Sequence, residues 1–221
     1  MPLPVSLKHE YIFVRHGHSI PNERGVIVSA LAHGCSPEYG LSAKGKVQVV
    51  ATGKELKQFV VQRSGTKLEN VYVLSSPFTR AKETAEAIAA ELGVEQKNFS
   101  LVTDLRERYF GEKELMSDKE YAEVWAEDKK SASHTVFGVE SVEQVWNRVS
   151  SIFRYCEKHV HTPSVIILVA HGDTIQISET AIRGMPLKDH RSIEHMNQAE
   201  WRRMTPKWNS RHASTKVRSK L

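Results

Sequence analysis

With 221 residues, 40% of them hydrophobic and 26% charged, the chain has the size and composition of a single globular domain. No apolar run approaches the ~20 residues of a membrane-spanning helix. Two prolines interrupt the amino-terminal segment MPLPVSLKHE, so neither a transmembrane helix nor a secretory signal is expected. Two cysteines, Cys35 and Cys156, are too few for a disulfide framework and favour a reducing compartment.

The formal net charge of +5 is unevenly distributed along the chain. Residues 201–221 contain seven Lys or Arg and no acidic residue, which leaves 24 basic against 26 acidic residues in residues 1–200. The pattern predicts a nearly neutral domain, 1–200, followed by a flexible basic tail, 201–221, of low apolar content. Trp201 and Trp208 are the only aromatic residues in this tail, too few to predict a nucleic-acid or membrane partner.

The basic tail ends in Ser219, Lys220 and Leu221. A carboxy-terminal S-K-L is an address that the peroxisomal import receptor recognises on a mobile, exposed chain end. The sequence therefore predicts this receptor as a partner, and localisation in the peroxisome or a related organelle such as the glycosome. The alternative is an uninformative basic end on a cytoplasmic protein.

Three short apolar runs rich in β-forming residues follow one another along the chain: YIFV at 11–14, VYVL at 71–74 and VIILVA at 165–170. They do not alternate with polar residues, which is typical of strands buried on both faces. Long segments with helical spacing separate them. We expect an α/β fold, a three-layer sandwich with a mainly parallel central sheet.

Helix boundaries are marked by capping residues. Ser42 precedes a helical pattern that runs through residue 59, and Ser141 with Gln144 forms a capping box before another. Ser76 followed by proline predicts a helix start at that point, and Asp173 with Gln176 predicts a further capping box. The segment 94–137 is mostly loop-like, with a short helical pattern at 121–125.

The residues that directly follow the three predicted strands carry the candidate chemistry: RHGHS, SSPFTR and HGDT. Ligands of open α/β sheets bind beyond the carboxyl ends of the strands, so these segments should converge. Together they would form a cationic pocket from Arg15, His16, Arg80 and His171. Guanidinium groups suit a phosphoryl group, and a neutral imidazole can attack phosphorus. The segment DLRERYFGE, 104–112, offers several carboxylates as the acid for the leaving oxygen.

Four ordered segments, FVRHGHSIPN, SSPFTRAKETA, LRERYFGE and VAHGDT, resemble the motifs of the histidine phosphatase superfamily. This superfamily includes the cofactor-dependent phosphoglycerate mutases and related phosphatases, and the resemblance covers residues 11 to 195. It implies a phosphoglycerate mutase-like fold. It also implies a mechanism without a metal or another cofactor, in which a histidine carries the phosphoryl group.

The resemblance further implies roles for individual residues. His16 matches the phosphorylated nucleophile, Glu107 the proton donor and His171 the second histidine. Arg15 and Arg80 match the phosphate-binding arginines. Asn22 corresponds to an amide that contacts the phosphate, while Ser19 and Gly172 line the same pocket.

Three functions are compatible with these residues. The favoured one is a phosphatase, a phosphoric monoester hydrolase acting on a small phosphorylated metabolite. A phosphoglycerate mutase is the first alternative, but only 63 residues separate Glu107 from His171, without the inserted arginine pair that such mutases carry. A non-catalytic phosphate-binding protein is the second. The substrate, which depends on loop 23–40 and segment 110–137, and the oligomeric state are not predicted. His190 and His195 are interpreted as surface residues with a possible contact to substrate.

Overall fold

A computed structural model describes residues 7–64, 66–160 and 162–204. Its centre is a five-stranded sheet of order β3-β2-β4-β1-β5, in which β1 to β4 are parallel and β5 is antiparallel to β1. The strands are β1 Glu10–Arg15, β2 Val71–Ser75, β3 Phe99–Leu101, β4 Val165–Ala170 and β5 Trp201–Met204. The three predicted strands and the mainly parallel sheet are confirmed. Strands β3 and β5 were not predicted.

Seven α-helices surround the sheet in the described residues: α1 Ile20–Arg24, α2 Leu31–Gly34, α3 Ala43–Phe59, α4 Thr79–Leu92, α5 Tyr121–Asp128, α6 Val142–His159 and α7 Gly172–Ile182. Short 3-10 helices connect them at Pro37–Tyr39, Leu68–Asn70, Gln96–Asn98, Thr103–Leu105, Gly111–Lys113, Asp118–Glu120, Val136–Gly138 and Leu187–Ser192. A π-helical turn, Val60–Ser64, continues α3. None of the described helices has the length and hydropathy to cross a membrane.

The helices cover both faces of the sheet. Along β1, Ile12 and Val14 belong to one hydrophobic core with residues of α3 and α4. Tyr11 and Phe13 point to the opposite face and pack with residues of α6 and α7. Each such side chain contributes about 1.5–3 kcal/mol by leaving water. The three-layer sandwich expected from the sequence is therefore present.

The parallel strands bring the predicted site residues to one edge of the sheet. In the sheet register Arg15 lies opposite Ala170, and Ser75 lies opposite Val169. Strands β1, β2 and β4 thus end together, and the next residue of each chain segment enters the loop region at that edge. His16 donates its backbone N–H to the Ala170 oxygen at 3.0 Å, which fixes the start of its loop.

Two predicted helix starts are confirmed. The Ser42 hydroxyl accepts the N–H of Gly45 at 3.2 Å at the start of α3. Ser141 and Gln144 form the reciprocal capping box at the start of α6. Gly45 is needed there, because a Cβ at this position would lie only 1.9 Å from the backbone oxygen of His18. Helix α3 can therefore pack directly against the loop that follows β1.

Two other predicted helix starts are wrong. Helix α4 begins at Thr79, and the Ser76 hydroxyl instead accepts the Phe78 N–H at 3.2 Å in the preceding turn. Helix α7 begins at Gly172, so Asp173 lies inside its first turn instead of capping it. The Ser76 and Asp173 side chains instead contact His171 and Trp125. The residues next to them in the sequence do not predict these contacts.

The boundary predicted at residue 201 needs correction. Trp201–Met204 forms the antiparallel edge strand β5, with Trp201 and Met204 buried. The two arginines between them lie at the sheet edge, and Arg203 pairs with Glu10 at 2.7 Å. A basic dipeptide hides this short edge strand in the sequence, because its two buried residues, three positions apart, lie on opposite faces of the sheet and give no alternating pattern. Residues 205–221, including Ser219, Lys220 and Leu221, lie outside the described residues.

Candidate active site

His16 lies directly after β1 and is buried. Its Nδ1 is 2.8 Å from the backbone oxygen of Gly17, which can only accept, so the ring proton is on Nδ1. Arg80 donates from Nε to His16 Nε2 at 3.2 Å, which requires a lone pair there. Burial, and then the charges of Arg80 and Arg15, lower the pKa of His16 well below 6.5. The imidazole is therefore neutral at physiological pH, with Nε2 unprotonated.

Arg80, in the first turn of α4, is also buried. Besides its bond to His16, it donates from Nη2 to the backbone oxygen of Val28 at 2.9 Å. Its Nη1 is buried and makes no hydrogen bond to any described residue. Burial lowers the pKa of Arg80, but a guanidinium remains charged at any working pH. The bond to Val28 also attaches loop 23–40 to the pocket.

Arg15 is the last residue of β1 and approaches the same region from another side. It donates twice from Nη1, to the Met196 oxygen at 2.6 Å and to His195 Nε2 at 2.9 Å. Its Nε is buried and has no hydrogen-bond partner in the described chain. Burial lowers the pKa of Arg15, while the nearby Glu107 carboxylate raises it.

His171, the N-cap of α7, is fully buried with its ring centroid 5.1 Å from that of His16. Its Nε2 lies 2.8 Å from the Ser76 hydroxyl. That hydroxyl already accepts the Phe78 N–H; where it donates its own proton to His171 Nε2, the imidazole proton is on Nδ1. Nδ1 is buried and has no hydrogen-bond partner among the described residues. Burial and Arg80 lower the pKa of His171 well below 6.5.

Glu107 is buried, and one of its oxygens is fully occupied. Oε1 accepts the backbone N–H of Arg108 at 2.9 Å and that of Thr174 at 3.2 Å. The Thr174 hydroxyl lies 3.1 Å from Oε1, but its single proton is closer to the backbone oxygen of Arg106, at 2.8 Å. Burial, and then the charge of Asp173, raise the pKa of Glu107 above 4.5, against the two backbone hydrogen bonds. Because Oε1 accepts both backbone N–H groups, we assign the proton of the acid form to Oε2.

Ser19, Asn22 and Gly172, the remaining predicted residues, lie in the segments that follow β1 and β4. Ser19 is buried, and its N–H and hydroxyl both donate to Asn22 Oδ1, at 3.2 and 2.8 Å. The bonds fix the Asn22 amide and leave its Nδ2 free of bonds to the described residues. Gly172 lies beside Arg15: a Cβ on Gly172 would be 3.6 Å from Arg15 Cζ. His18 faces away, with Nδ1 2.9 Å from the Ser42 hydroxyl.

This group of side chains contains polar atoms that the protein itself does not use. Three of its buried nitrogens, Arg15 Nε, Arg80 Nη1 and His171 Nδ1, make no hydrogen bond to the described residues. Leaving a buried donor unpaired costs about 1–3 kcal/mol, more when it is charged. Two guanidiniums and a neutral N–H of this kind suit a small anion with several oxygens.

A second layer of the site comes from α5, in the segment 110–137. Tyr121 stacks on Trp125 with ring centroids 5.3 Å apart, and Trp125 donates from Nε1 to Asp173 at 3.0 Å. Burial, with Glu107 and Asp173 nearby, raises the pKa of Tyr121. The end of α5 is fixed by Asp128, which accepts two bonds from the fully buried Arg108, at 2.7 and 2.8 Å.

Sequence reasoning did not identify this layer. Tyr121 and Trp125 have a helical spacing typical of any packed helix, so their sequence carries no signal of a site. Thr174, Ser76 and Asp173 are equally ordinary in sequence, although they contact Glu107, His171 and Trp125 respectively. His190 lies 3.6 Å from Asp128, in the network that fixes α5.

A family model described as histidine phosphatase superfamily (branch 1) matches residues 11–215. The chain belongs to the histidine phosphatase superfamily. Curated relatives of this superfamily member include both mutases and phosphatases. A 2,3-bisphosphoglycerate-dependent phosphoglycerate mutase of Bartonella henselae is 23% identical over 187 residues, covering 81% of this chain and 84% of the relative. A metal-independent phosphoserine phosphatase of Arabidopsis thaliana is 26% identical over 208 residues, covering 87% and 78%.

Solved structures share the fold of this superfamily member. A mycobacterial glucosyl-3-phosphoglycerate phosphatase in complex with inorganic phosphate superposes with a TM-score of 0.69 at 20% identity, covering 91% of this chain and 92% of the other. A phosphoserine phosphatase of Entamoeba histolytica in complex with 3-phosphoglyceric acid gives a TM-score of 0.64 at 19% identity, covering 87% and 88%.

Proposed function

We propose that this protein is a metal-independent phosphatase that hydrolyses a small phosphorylated metabolite through a phosphohistidine on His16. The observation that supports it most strongly is the set of unpartnered donors around His16. Arg15 Nε, Arg80 Nη1 and His171 Nδ1 are buried without hydrogen-bond partners in the described residues, and the lone pair of the neutral His16 ring is on Nε2, where it accepts the Arg80 Nε–H. Two fixed positive charges match the dianionic phosphate of a monoester.

In the first half of the proposed reaction, His16 Nε2 attacks phosphorus as the bond to the leaving oxygen breaks. Glu107 transfers its Oε2 proton to that oxygen, so the product leaves as an alcohol. As the N–P bond forms, the Arg80 Nε–H loses its acceptor on His16 and can move to a phosphoryl oxygen. The arginines and His171 stabilise the charge on the equatorial oxygens, an effect that usually dominates phosphoryl transfer.

In the second half, water attacks the phosphohistidine in line. The Glu107 carboxylate, which lost its proton in the first half, now takes one from that water. The N–P bond breaks, its electron pair returns to His16 Nε2, and inorganic phosphate leaves. Glu107 ends protonated and His16 neutral, which restores the starting state.

The relatives include both phosphatases and phosphoglycerate mutases, so these two activities have to be distinguished for this protein. A mutase must retain a second phosphate and exclude water, and the short spacing between Glu107 and His171 favours the hydrolase. A non-catalytic phosphate-binding protein would not need a buried carboxylic acid such as Glu107, whose function is to protonate a leaving oxygen.

The test is a panel of sugar bisphosphates, phosphoglycerates, nucleotides and phosphopeptides, assayed for phosphate release and for isomerisation, with and without a chelator. Phosphate release that the chelator does not change supports the proposal. Isomerisation of phosphoglycerate would replace it with a mutase, and neither reaction on any substrate would leave a binding protein. Quenching in denaturant at alkaline pH should reveal up to one phosphohistidine per chain, stable in base and lost on treatment with acid.

The nucleophile is tested by His16→Ala against a matched control, His159→Ala. His159 is exposed, at the end of α6. The His16 variant should fold, bind phosphate and lose both turnover and the trapped phosphohistidine, whereas the control retains both. Turnover by His16→Ala close to that of the control would contradict the assignment.

A further inference from the structure

His195 lies on the loop between α7 and β5 and contacts Arg15 from behind the pocket. Arg15 Nη1 has two protons, and both are used, one by the Met196 oxygen and one by His195 Nε2. The opposite edge of the guanidinium, formed by Nε and Nη2, makes no hydrogen bond to the described residues. This edge is the one that can bind two oxygens of an anion side by side.

The protonation of His195 follows from its neighbours. Arg15 can only donate, so His195 Nε2 must be unprotonated and the ring proton is on Nδ1. Nδ1 lies 3.4 Å from Gln176 Oε1, which also accepts from Arg191 Nη1 at 2.5 Å. Gln176 is itself oriented by a hydrogen bond from Nε2 to the backbone oxygen of Ile193. Burial and Arg15 lower the pKa of His195 to about 4, so it stays neutral.

Gly172 makes the approach of His195 possible. A Cβ at Gly172 would lie 2.8 Å from His195 Cε1 and 3.1 Å from its Nε2. Any larger residue would displace the imidazole from Arg15. The glycine next to His171 therefore leaves room for a third histidine behind the arginine.

We infer that His195 is a positioning residue: it holds the Arg15 guanidinium so that the Nε and Nη2 edge faces the phosphoryl group. The inference rests on the proposed function for the identity of the ligand. Without His195, one Nη1 proton loses its acceptor, and the side chain can rotate to recover one. An arginine side chain has many rotamers, so a guanidinium that is already held in place loses less conformational entropy when it binds the anion. His195 itself does not touch the substrate.

The experiment compares His195→Leu with His195→Gln, whose amide oxygen can accept the same Arg15 bond. Both variants are also made in an Arg15→Met background, which removes the guanidinium. For each protein we measure the Kd of inorganic phosphate and of orthovanadate by calorimetry, kcat/KM on an aryl phosphate, and the urea midpoint of unfolding.

We expect His195→Leu to weaken anion binding and lower kcat/KM by about 10- to 100-fold, and His195→Gln to recover most of the loss. In the Arg15→Met background the Leu substitution should have no further effect, because its target is already gone. Equal losses in both backgrounds, or a loss that tracks only the unfolding midpoint, would overturn the inference. So would His195→Leu binding phosphate as tightly as wild type.

The same measurements separate this inference from the proposed function. If the wild type binds phosphate and vanadate but hydrolyses nothing, the phosphatase proposal fails, and the binding data on the variants still decide the role of His195. If the wild type hydrolyses phosphoesters and the Leu variant equals it, only the inference fails. A wild type that binds neither anion would overturn both.

Discussion

Glu107→Gln gives a sharp test of the proposed acid, because the structure indicates how the amide will be oriented. The two backbone N–H groups that donate to Oε1, those of Arg108 and Thr174, require an oxygen at that position. The glutamine oxygen will take it, and the NH₂ group will occupy the place of Oε2. The variant should therefore keep the fold and the hydrogen bonds of Glu107 while losing only the proton that reaches the leaving oxygen.

The size of the effect should depend on the leaving group. A general acid contributes about 10²- to 10⁴-fold, or about 3 to 5 kcal/mol, where the leaving oxygen needs protonation. An alkyl phosphate such as a phosphoglycerate should lose that factor in Glu107→Gln. An aryl phosphate, whose anion leaves unaided, should phosphorylate His16 at a nearly unchanged rate. Hydrolysis of the phosphohistidine still needs Glu107 as a base, so the phosphoenzyme should accumulate.

The assay is rapid-quench kinetics with nitrophenyl phosphate and with the best alkyl substrate of the panel. Glu107→Gln should give a burst of one nitrophenol per active site, followed by a slow steady state, with phosphohistidine present throughout. Phosphate affinity and thermal stability serve as controls and should stay close to wild type. Equal slowing of the aryl and alkyl substrates in the first turnover would show that Glu107 is not the acid.

Three further predictions concern the buried His171, the buried ion pair of Asp128 and Arg108, and the carboxy terminus. Below about pH 6.5 a histidine is protonated in the unfolded state, whereas buried His171 stays neutral in the folded state, so its contribution to the free energy of unfolding should rise with pH between about 5 and 7, by up to about 1.4 kcal/mol per pH unit. Urea unfolding of wild type and His171→Asn at several pH values should therefore give different slopes of this free energy against pH. Parallel curves would contradict the prediction. Asp128→Ala removes both hydrogen bonds from the Nη atoms of buried Arg108, leaves Asp173, at 3.7 Å, as its remaining carboxylate partner, and should cost about 3–5 kcal/mol, measured by urea unfolding. A loss below 1 kcal/mol, on the order of a surface pair, would refute it. Import through S-K-L stays a prediction: removing Ser219 to Leu221 should leave turnover intact and move a fluorescent fusion to the cytosol, whereas unchanged import would contradict it.

The strands and the main pocket residues could be predicted because their signals are local. YIFV, VYVL and VIILVA are continuous apolar runs, and the polar segments after them are brought together by the simple rule that parallel strands end at one edge. Arg15, His16 and Arg80 each follow or lie near such a run. Their proximity depends on topology alone.

The supporting residues could not be predicted because their partners are far away in sequence. Ser76 has the sequence of a helix cap, yet its hydroxyl contacts His171, 95 residues later. His195 contacts Arg15 across 180 residues, and no pattern around it differs from a surface loop. Strand β5 is short and half charged, so its sequence is indistinguishable from the basic tail that follows it.

The position of β1 determines when the enzyme can first become active during its synthesis. This strand, at residues 10–15, lies between β4 at 165–170 and β5 at 201–204, so both of its neighbours are made last. A ribosome adding ~5–20 residues per second needs about 10–40 s to reach them. Until then His16 has no aligned partners, so under the proposed function nascent and truncated chains should be unable to hydrolyse phosphoesters.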